Sequence, residues 1–256
     1  MIALIPMAGA GSRFAEKGYT IPKPLLPMRG KPMVISACND LPKADKQIFI
    51  IREAHDDAHN IKNMLLEHFP EANIIPVDKL TEGQASTCLL AKEFINNNEE
   101  LVIGASDNGM IWPRENFDKE KETCDAIIFT FRNNPAVLAK PSAYGWVIAD
   151  ENNFVNKVKV KYNMPDPMKA HAVTGAFWFK KGSDFVAAAE RMIGQNRRIN
   201  NEFYVDECLN DCIQLGLKVK VFEIEHYLCW GTPADYETFL YWESFFNDMP
   251  FHPYKK

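Results

Sequence analysis

The sequence predicts an α/β protein built on a doubly wound, mostly parallel sheet, with an antiparallel portion inserted in its second half. Three observations carry this. Short β-rich runs alternate with helix-length stretches from Ile2 to Ser106, strands predominate from Cys124 to Lys180, and no Pro/Gly/Ser-rich linker, repeat or low-complexity tract separates the halves.

In order, IALIP (2–6) reads as a strand and the stretch from about Met33 as a helix. KQIFII (46–51), NIIPV (73–77) and ELVIGAS (100–106) read as further strands, with helices over DDAHNIKNMLLEHF (56–69) and GQASTCLLAKEFI (83–95) between them. The order βαβαβαβ implies a Rossmann-like sheet with helices on both faces, whose ligands bind beyond the carboxyl ends of the strands. In the second half, CDAIIFTF (124–131), YGWVIADENNFVNKVKV (144–160) and AHAVTGAFWFK (170–180) read as strands. The turn residues Asp150-Glu151-Asn152-Asn153 make the middle segment a hairpin. Helices follow in 182–193 and 202–216, then the strand KVKVFEI (218–224) and a last helix after Pro233.

Composition bounds the function. With 46% hydrophobic and 25% charged residues over 256 positions, the chain is expected to be one soluble globular unit. A net charge of −5 argues against a general nucleic-acid binder, so a polyanionic ligand must meet local positive charge or a metal ion. The opening MIALIPMAG has no basic region and too short an apolar run for a signal peptide or a membrane span, and a cytoplasmic location is expected. The six cysteines are expected to be reduced core residues; Cys208 and Cys212 have helical spacing but no second pair to complete a zinc site. His55 and His59, with Asp56 and Asp57, read as a solvated helix start. The aromatic tail FLYWESFFNDMPFHPYKK reads as a docked C-terminal helix or a subunit interface, which would make a homodimer.

The chemistry gathers near the N-terminus. Gly9-Ala10-Gly11-Ser12-Arg13-Phe14 lacks the third glycine of a dinucleotide fingerprint, and no GK[ST] follows to make a Walker loop. What remains is a loop that can turn its N–H groups toward an anion, with Arg13 able to grip phosphate oxygens in a bidentate manner. Lys23, between Pro22 and Pro24, is a second cation on a stiffened segment. Ser106-Asp107-Asn108 follows the fourth strand, where Asp107 either caps a turn or holds a metal.

Three linked elements, Ala8-Gly9-Ala10-Gly11-Ser12-Arg13, Pro22-Lys23-Pro24-Leu25-Leu26-Pro27 and Gly30-Lys31-Pro32-Met33, stand in sequence. Together they resemble the signature of the sugar-phosphate nucleotidylyltransferases, or nucleoside-diphosphate-sugar pyrophosphorylases, and the likeness runs from Ile2 to about Trp242. The resemblance implies a GT-A-like nucleotidyltransferase fold as a single domain over 1–256, with 1–110 as the NTP-binding half and 111–256 as the acceptor-binding half. It implies nucleotide contacts at Met7, Ala8, Gly9, Ala10, Gly11, Ser12, Glu82, Gly83, Gln84 and Ser106. Acceptor contacts are implied at Tyr144, Gly145, Lys161, Thr174, Gly175 and Trp230, with Trp146 and Trp178 as further candidates for that pocket's walls. Arg13, Lys23 and Asp107 become the catalytic set, with Mg2+ held by Asp107.

The activity so implied joins an NTP to a phosphorylated small molecule, releasing pyrophosphate, in precursor synthesis for a cell-surface polysaccharide such as a capsule. The acceptor is a sugar 1-phosphate or, as in small CTP-dependent relatives, a non-sugar phosphate such as phosphocholine or phosphoglutamine; the base stays open. One departure stands out. Cys229 occupies the place, two residues before Gly231-Thr232-Pro233, where many members carry a metal-binding aspartate. Thiols are poor ligands for magnesium, so either Glu223, Glu225 or Asp235 supplies the second carboxylate, with Asp235 and Glu225 favoured, or Asp107 acts with waters and phosphates alone. The departure also admits a non-catalytic nucleotide sensor of the same fold. A glycosyltransferase would carry a D-x-D pair where Asp107-Asn108-Gly109 stands.

Overall fold

The computed structural model describes residues 1–249, so the end of the aromatic tail, 250–256, lies outside the described residues. The chain opens with β1 (Ile2–Pro6), a loop, and the short helix α1 (Ser12–Glu16). A 3-10 turn at Lys23–Leu25 and a hairpin of β2 (Pro27–Met28) with β3 (Lys31–Pro32) lead into α2 (Met33–Asp40). Next come β4 (Lys46–Arg52), α3 (Glu53–His59), α4 (Ile61–His68), β5 (Asn73–Val77), α5 (Gln84–Leu89), α6 (Lys92–Ile95) and β6 (Leu101–Ile103). The second half comprises β7 (Asn108–Ile111), α7 (Arg114–Lys121), β8 (Ala126–Phe131), α8 (Ala136–Ala139), β9 (Gly145–Ala149), β10 (Val155–Val160) and β11 (His171–Phe179). It ends with α9 (Gly182–Gly194), α10 (Val205–Gln214), β12 (Val219–Glu223), β13 (His226–Cys229) and α11 (Pro233–Asp248).

Nine strands form one sheet in the order β10-β9-β11-β6-β1-β4-β5, with β8 also paired to β11 and β12 paired to β8. The pairings leave β10 and β11 opposed to the other seven, so the sheet is mostly parallel. Strands β6 and β8 are buried along their whole length, as continuous apolar runs covered on both faces should be. Alternation along β1 sends Ile2 and Leu4 into one core layer and Ala3 and Ile5 into the other. A third, smaller cluster of Phe14, Met28, Met33, Trp230 and Tyr236 fastens α1, the hairpin and α11 together.

The structure refines several expectations. The helix expected over 56–69 is broken in two at Asn60, which takes a left-handed φ of 54° while Asp56 Oδ1 accepts the Lys62 N–H at 2.7 Å. The helix expected over 83–95 likewise divides around Ala91. Beyond the main sheet, β7 pairs antiparallel with β13, an arrangement of distant segments that local pattern did not disclose. The hairpin at 150–153 is present between β9 and β10. All six cysteines are free, and Cys88, Cys124, Cys208 and Cys212 are buried. Among the described residues no helix is long and apolar enough to cross a membrane.

Candidate active site

The loop after β1 forms the floor of the site. Met7 and Ala8 are buried beneath it, with the Met7 N–H donating to Ile50 O at 2.9 Å, whereas Gly9, Ala10, Ser12 and Arg13 face solvent. Gly11, at φ 63°, turns the chain into α1 and accepts the N–H of Phe14 at 3.1 Å. Phe14 then drops into the small core and anchors the loop behind.

Lys23 and Asp107 meet across this floor. Pro22 sets up the 3-10 turn that presents Lys23, and its Nζ donates to Asp107 Oδ2 at 2.6 Å. Burial pushes the Asp107 carboxyl up, but the charge and hydrogen bond of Lys23, aided by Arg13, outweigh it and hold the carboxyl below its ordinary value. The Trp230 N–H donates to Asp107 O at 3.0 Å, pinning the start of β7 to the end of β13.

Three cavities open onto the Gly9–Gly11 loop. The first, about 350 Å³, lies between that loop, the Thr20–Pro24 segment and α3, and includes Gln84, Ser106 and Asp107 in its wall. The second, about 520 Å³, holds Arg13, Tyr144, Gly145, Lys161, Thr174 and Gly175. The third, about 290 Å³, is walled by Thr81, Gly83, Gln84 and Thr87.

The second cavity owes its shape to irregular backbone. β11 slips register between Val173 and Phe177, and the resulting bulge turns Thr174 and Gly175 to the cleft. Thr174 Oγ1 donates to Phe129 O at 3.0 Å, and its carbonyl accepts Asn108 Nδ2 at 2.8 Å, so the bulge is tied to both β8 and β7. Lys161 takes a positive φ of 52° just past β10, donates through Nζ to Ala143 O at 2.7 Å, and sits 5.5 Å from the Tyr204 ring centroid. Burial lowers its ammonium below the usual lysine range, against the pull of Asp206. Burial raises the Asp206 carboxyl in turn.

Several sequence-based assignments move. Trp230 is fully buried in the small core, 5.6 Å from Phe239 between ring centroids, so its side chain does not reach the second cavity; only its backbone touches the site, through Asp107. Trp146 and Trp178 are also fully buried in the main core and do not line that cavity. Glu225 is exposed and off the cavity walls, because its N–H donates to Ile111 O at the far end of the β7–β13 pair. Glu223 is engaged with Arg132 at 2.6 Å. Glu82 turns its carboxylate to Arg198 at 2.8 Å, while its carbonyl accepts the Phe203 N–H at 2.7 Å.

The residues fit a magnesium ion poorly. Asp107 offers a hard carboxylate, already bonded to Lys23, but the facing donor is the Cys229 thiol, pushed up to about 12 by burial and nearby carboxylates. Asp235 lines the second cavity, yet its Oδ2 accepts Thr232 Oγ1 at 2.6 Å and the Cys229 thiol at 3.5 Å within the first turn of α11. Among the described residues no three His, Cys, Asp or Glu side chains converge on a metal position. The chain therefore supplies one hard ligand here and not a two-carboxylate site.

Sequence reasoning missed Glu202, Tyr204, Asp206 and Tyr227, all on the second cavity, and the place of His55 and His59 on the first. The one available signal was the acidic first turn of α10, Asp206 and Glu207, which favours a helix start and says nothing of a cleft.

An anion-ready loop at the carboxyl end of a parallel strand, flanked by lysines from two further segments, defines a phosphate-transfer class of site on an open α/β sheet. The nucleotidyl transferase family model matches residues 2–211, and the chain belongs to that family. It is 25% identical over 231 residues to the bifunctional protein GlmU of Thermotoga sp. strain RQ2, covering 89% of this chain and 47% of that protein. GlmU of Campylobacter hominis is 24% identical over 222 residues, 86% of this chain and 48% of that protein. The chain thus spans about half the length of the curated relatives it matches. Among solved structures it resembles the nucleoside-diphosphate-sugar pyrophosphorylase of Vibrio cholerae RC9, with TM-score 0.77 and 23% identity over 94% of this chain and 100% of that one. It also resembles the inositol-1-phosphate CTP transferase of T. maritima, with TM-score 0.70, 15% identity and 93% of each chain covered. These likenesses show the GT-A-like nucleotidyltransferase fold.

Proposed function

We propose that the protein transfers a nucleotidyl group from an NTP, arriving as its magnesium complex, to the phosphate of a small molecule, giving an NDP-linked product and pyrophosphate. The observation that carries this reading is the convergence of Arg13, Lys23 and Lys161 on cavities that share the Gly9–Gly11 loop. An acidic chain can handle a polyanion only where cations are focused in this way.

The acceptor phosphate, with a second pKa of about 6, is already ionised at neutral pH and needs no general base. Its oxygen attacks the α-phosphorus, the bond to the β,γ-diphosphate breaks, and the electron pair leaves on pyrophosphate. What the chain supplies is alignment and charge stabilisation. Lys23, held by Asp107, sits on the wall common to the first two cavities and bridges attacking and transferred phosphates. Gly83 and Gln84 line the third cavity and face the nucleoside. Arg13 and Lys161 share the second cavity and receive the acceptor phosphate, while Thr174 and Tyr144 line the space beyond. The shared lining with Lys161 supports an acceptor-side role for Arg13.

The V. cholerae and T. maritima likenesses support a sugar 1-phosphate or a polyol phosphate with CTP, and a non-sugar phosphate such as phosphocholine belongs to the same test. Cytoplasmic precursor synthesis for a cell-surface polysaccharide is the setting that accords with such products. A panel of NTPs against acceptor phosphates, read by pyrophosphate release with and without Mg2+, tests the reading. Cys229 beside Asp107 favours one second reading, a nucleotide sensor, which predicts NTP binding with no pyrophosphate released by any pair.

A further inference from the structure

Displacement at the α-phosphorus needs three directions of space: one for the nucleoside, one for the incoming phosphate, and one opposite the second for the departing pyrophosphate. Among the described residues, three cavities border one loop. The second shares Gly11, Lys23, Ala105 and Asp107 with the first, so these two meet across the Lys23–Asp107 pair. The third shares Gly9, Ala10 and Gln84 with the first. With the acceptor in the second cavity and the nucleoside in the third, the first is the exit direction.

That first cavity carries side chains the proposed reaction has not used. His55 and His59 lie four residues apart on one face of α3 and both line it. Among the described residues neither ring makes a hydrogen bond. Burial first, and then the positive charges of Arg52 and His59, disfavour a charge on His55, so its ring lines the cavity as a neutral imidazole with one N–H donor. The backbone of Gly9–Gly11 and the Lys23 ammonium, with its Asp107 partner, line the same cavity. A pocket that offers imidazole N–H donors, backbone amides and a lysine is suited to a compact polyanion.

Resting on the nucleotidyl-transfer reading, we propose that His55 and His59 bind the pyrophosphate leaving group, equivalently the β,γ-diphosphate of the NTP, in the cavity between α3 and the Gly9–Gly11 loop.

Titration calorimetry of the full chain with inorganic pyrophosphate, and separately with nucleoside monophosphates, tests this on the wild type, His55→Ala, His59→Ala and the double variant. His55→Gln keeps an N–H donor and serves as the conservative control. The expected result is pyrophosphate binding weakened about tenfold or more in the double variant, as for loss of two hydrogen bonds to a charged group, with His55→Gln retaining most of it. Nucleoside monophosphate affinity and melting temperature stay at wild-type values. Equal pyrophosphate affinity in wild type and double variant overturns the proposal, as does a parallel fall in monophosphate affinity, which would mark a structural role for α3. If the wild type binds neither NTP nor monophosphate of any base, the nucleotidyl-transfer reading itself fails; nucleotide binding with pyrophosphate affinity unmoved by the variants sinks only the histidine assignment.

Discussion

Lys23 reaches across 84 residues of sequence to donate to Asp107 at 2.6 Å, and the two side chains are about a quarter exposed. The pair joins the stiffened Pro22–Pro24 turn to the link between β6 and β7, so it orders the floor of the cleft as well as its charge. Removing one partner leaves a half-desolvated ion. Lys23→Met is expected to cost about 1–3 kcal/mol, between the values for surface and fully buried pairs, measured by chemical denaturation. Asp107→Asn should lower kcat/KM by about 10²-fold or more through a misplaced Lys23.

The pH dependence of that pair follows from the net lowering of the Asp107 carboxyl. A carboxyl lower in the folded than in the unfolded state contributes stability above its unfolded value, and loses it as pH falls through the folded one. The stability advantage of wild type over Asp107→Asn should therefore be constant from about pH 7 to pH 5 and shrink only below the ordinary aspartate range, about pH 4. Melting temperatures of both proteins across that span decide it; an advantage already lost at pH 5 would mean that burial, and not Lys23, dominates.

Lys161 titrates the other way. Its ammonium is lowered by burial, so it gives up its proton at a pH below the ordinary lysine value. Acceptor binding should weaken as pH rises through that window, while NTP binding holds. Lys161→Met should raise the acceptor KM by about tenfold or more, remove this alkaline limb, and leave the NTP KM within about twofold.

Gly83 holds the wall of the third cavity by close approach. Its φ is 120°, and a Cβ there would stand 2.6 Å from Phe203 O, in a segment clamped by Phe203 N–H to Glu82 O at 2.7 Å and Ala85 N–H to Phe203 O at 2.9 Å. Gly83→Ala must both strain the backbone and part these hydrogen bonds. A loss of about 2–4 kcal/mol in unfolding free energy is expected, with NTP affinity falling before acceptor affinity does.

What the sequence disclosed divides along physical lines. The apolar strand runs and the glycine loop are local patterns, so β1, β4, β5 and β6, the 150–153 turn and the turn at Gly11 could be read directly. Trp230 could not, because whether an aromatic beside a turn faces a cleft or a core depends on partners such as Met28 and Tyr236, far away in the chain. Asp206 and Tyr227 escaped for the same reason, and the helical spacing of His55 and His59 reads equally as a solvated helix start: each reaches the cleft only through the packing of its helix or strand. Cys229 was legible as a departure, but its company became visible only when β13 paired with β7.

That company makes the last prediction. A Cβ on Gly231 would lie 3.3 Å from Asp107 Oδ2 and 3.8 Å from Cys229 Sγ, so carboxylate and thiol flank one small space. Burial keeps the thiol protonated, up to about 12, and a protonated sulfur does not replace a hard oxygen on Mg2+. Cys229→Asp would put a second carboxylate there, close to both Asp107 and Asp235. Without metal this crowding of like charge should lower the melting temperature; with Mg2+ the variant should recover, showing a metal-dependent thermal shift of several degrees that the wild type lacks. Cys229→Ser, which adds no charge, should behave like wild type. Equal shifts by Mg2+ in wild type and Cys229→Asp would show that Asp107 alone suffices to recruit the ion, and that the thiol is no handicap.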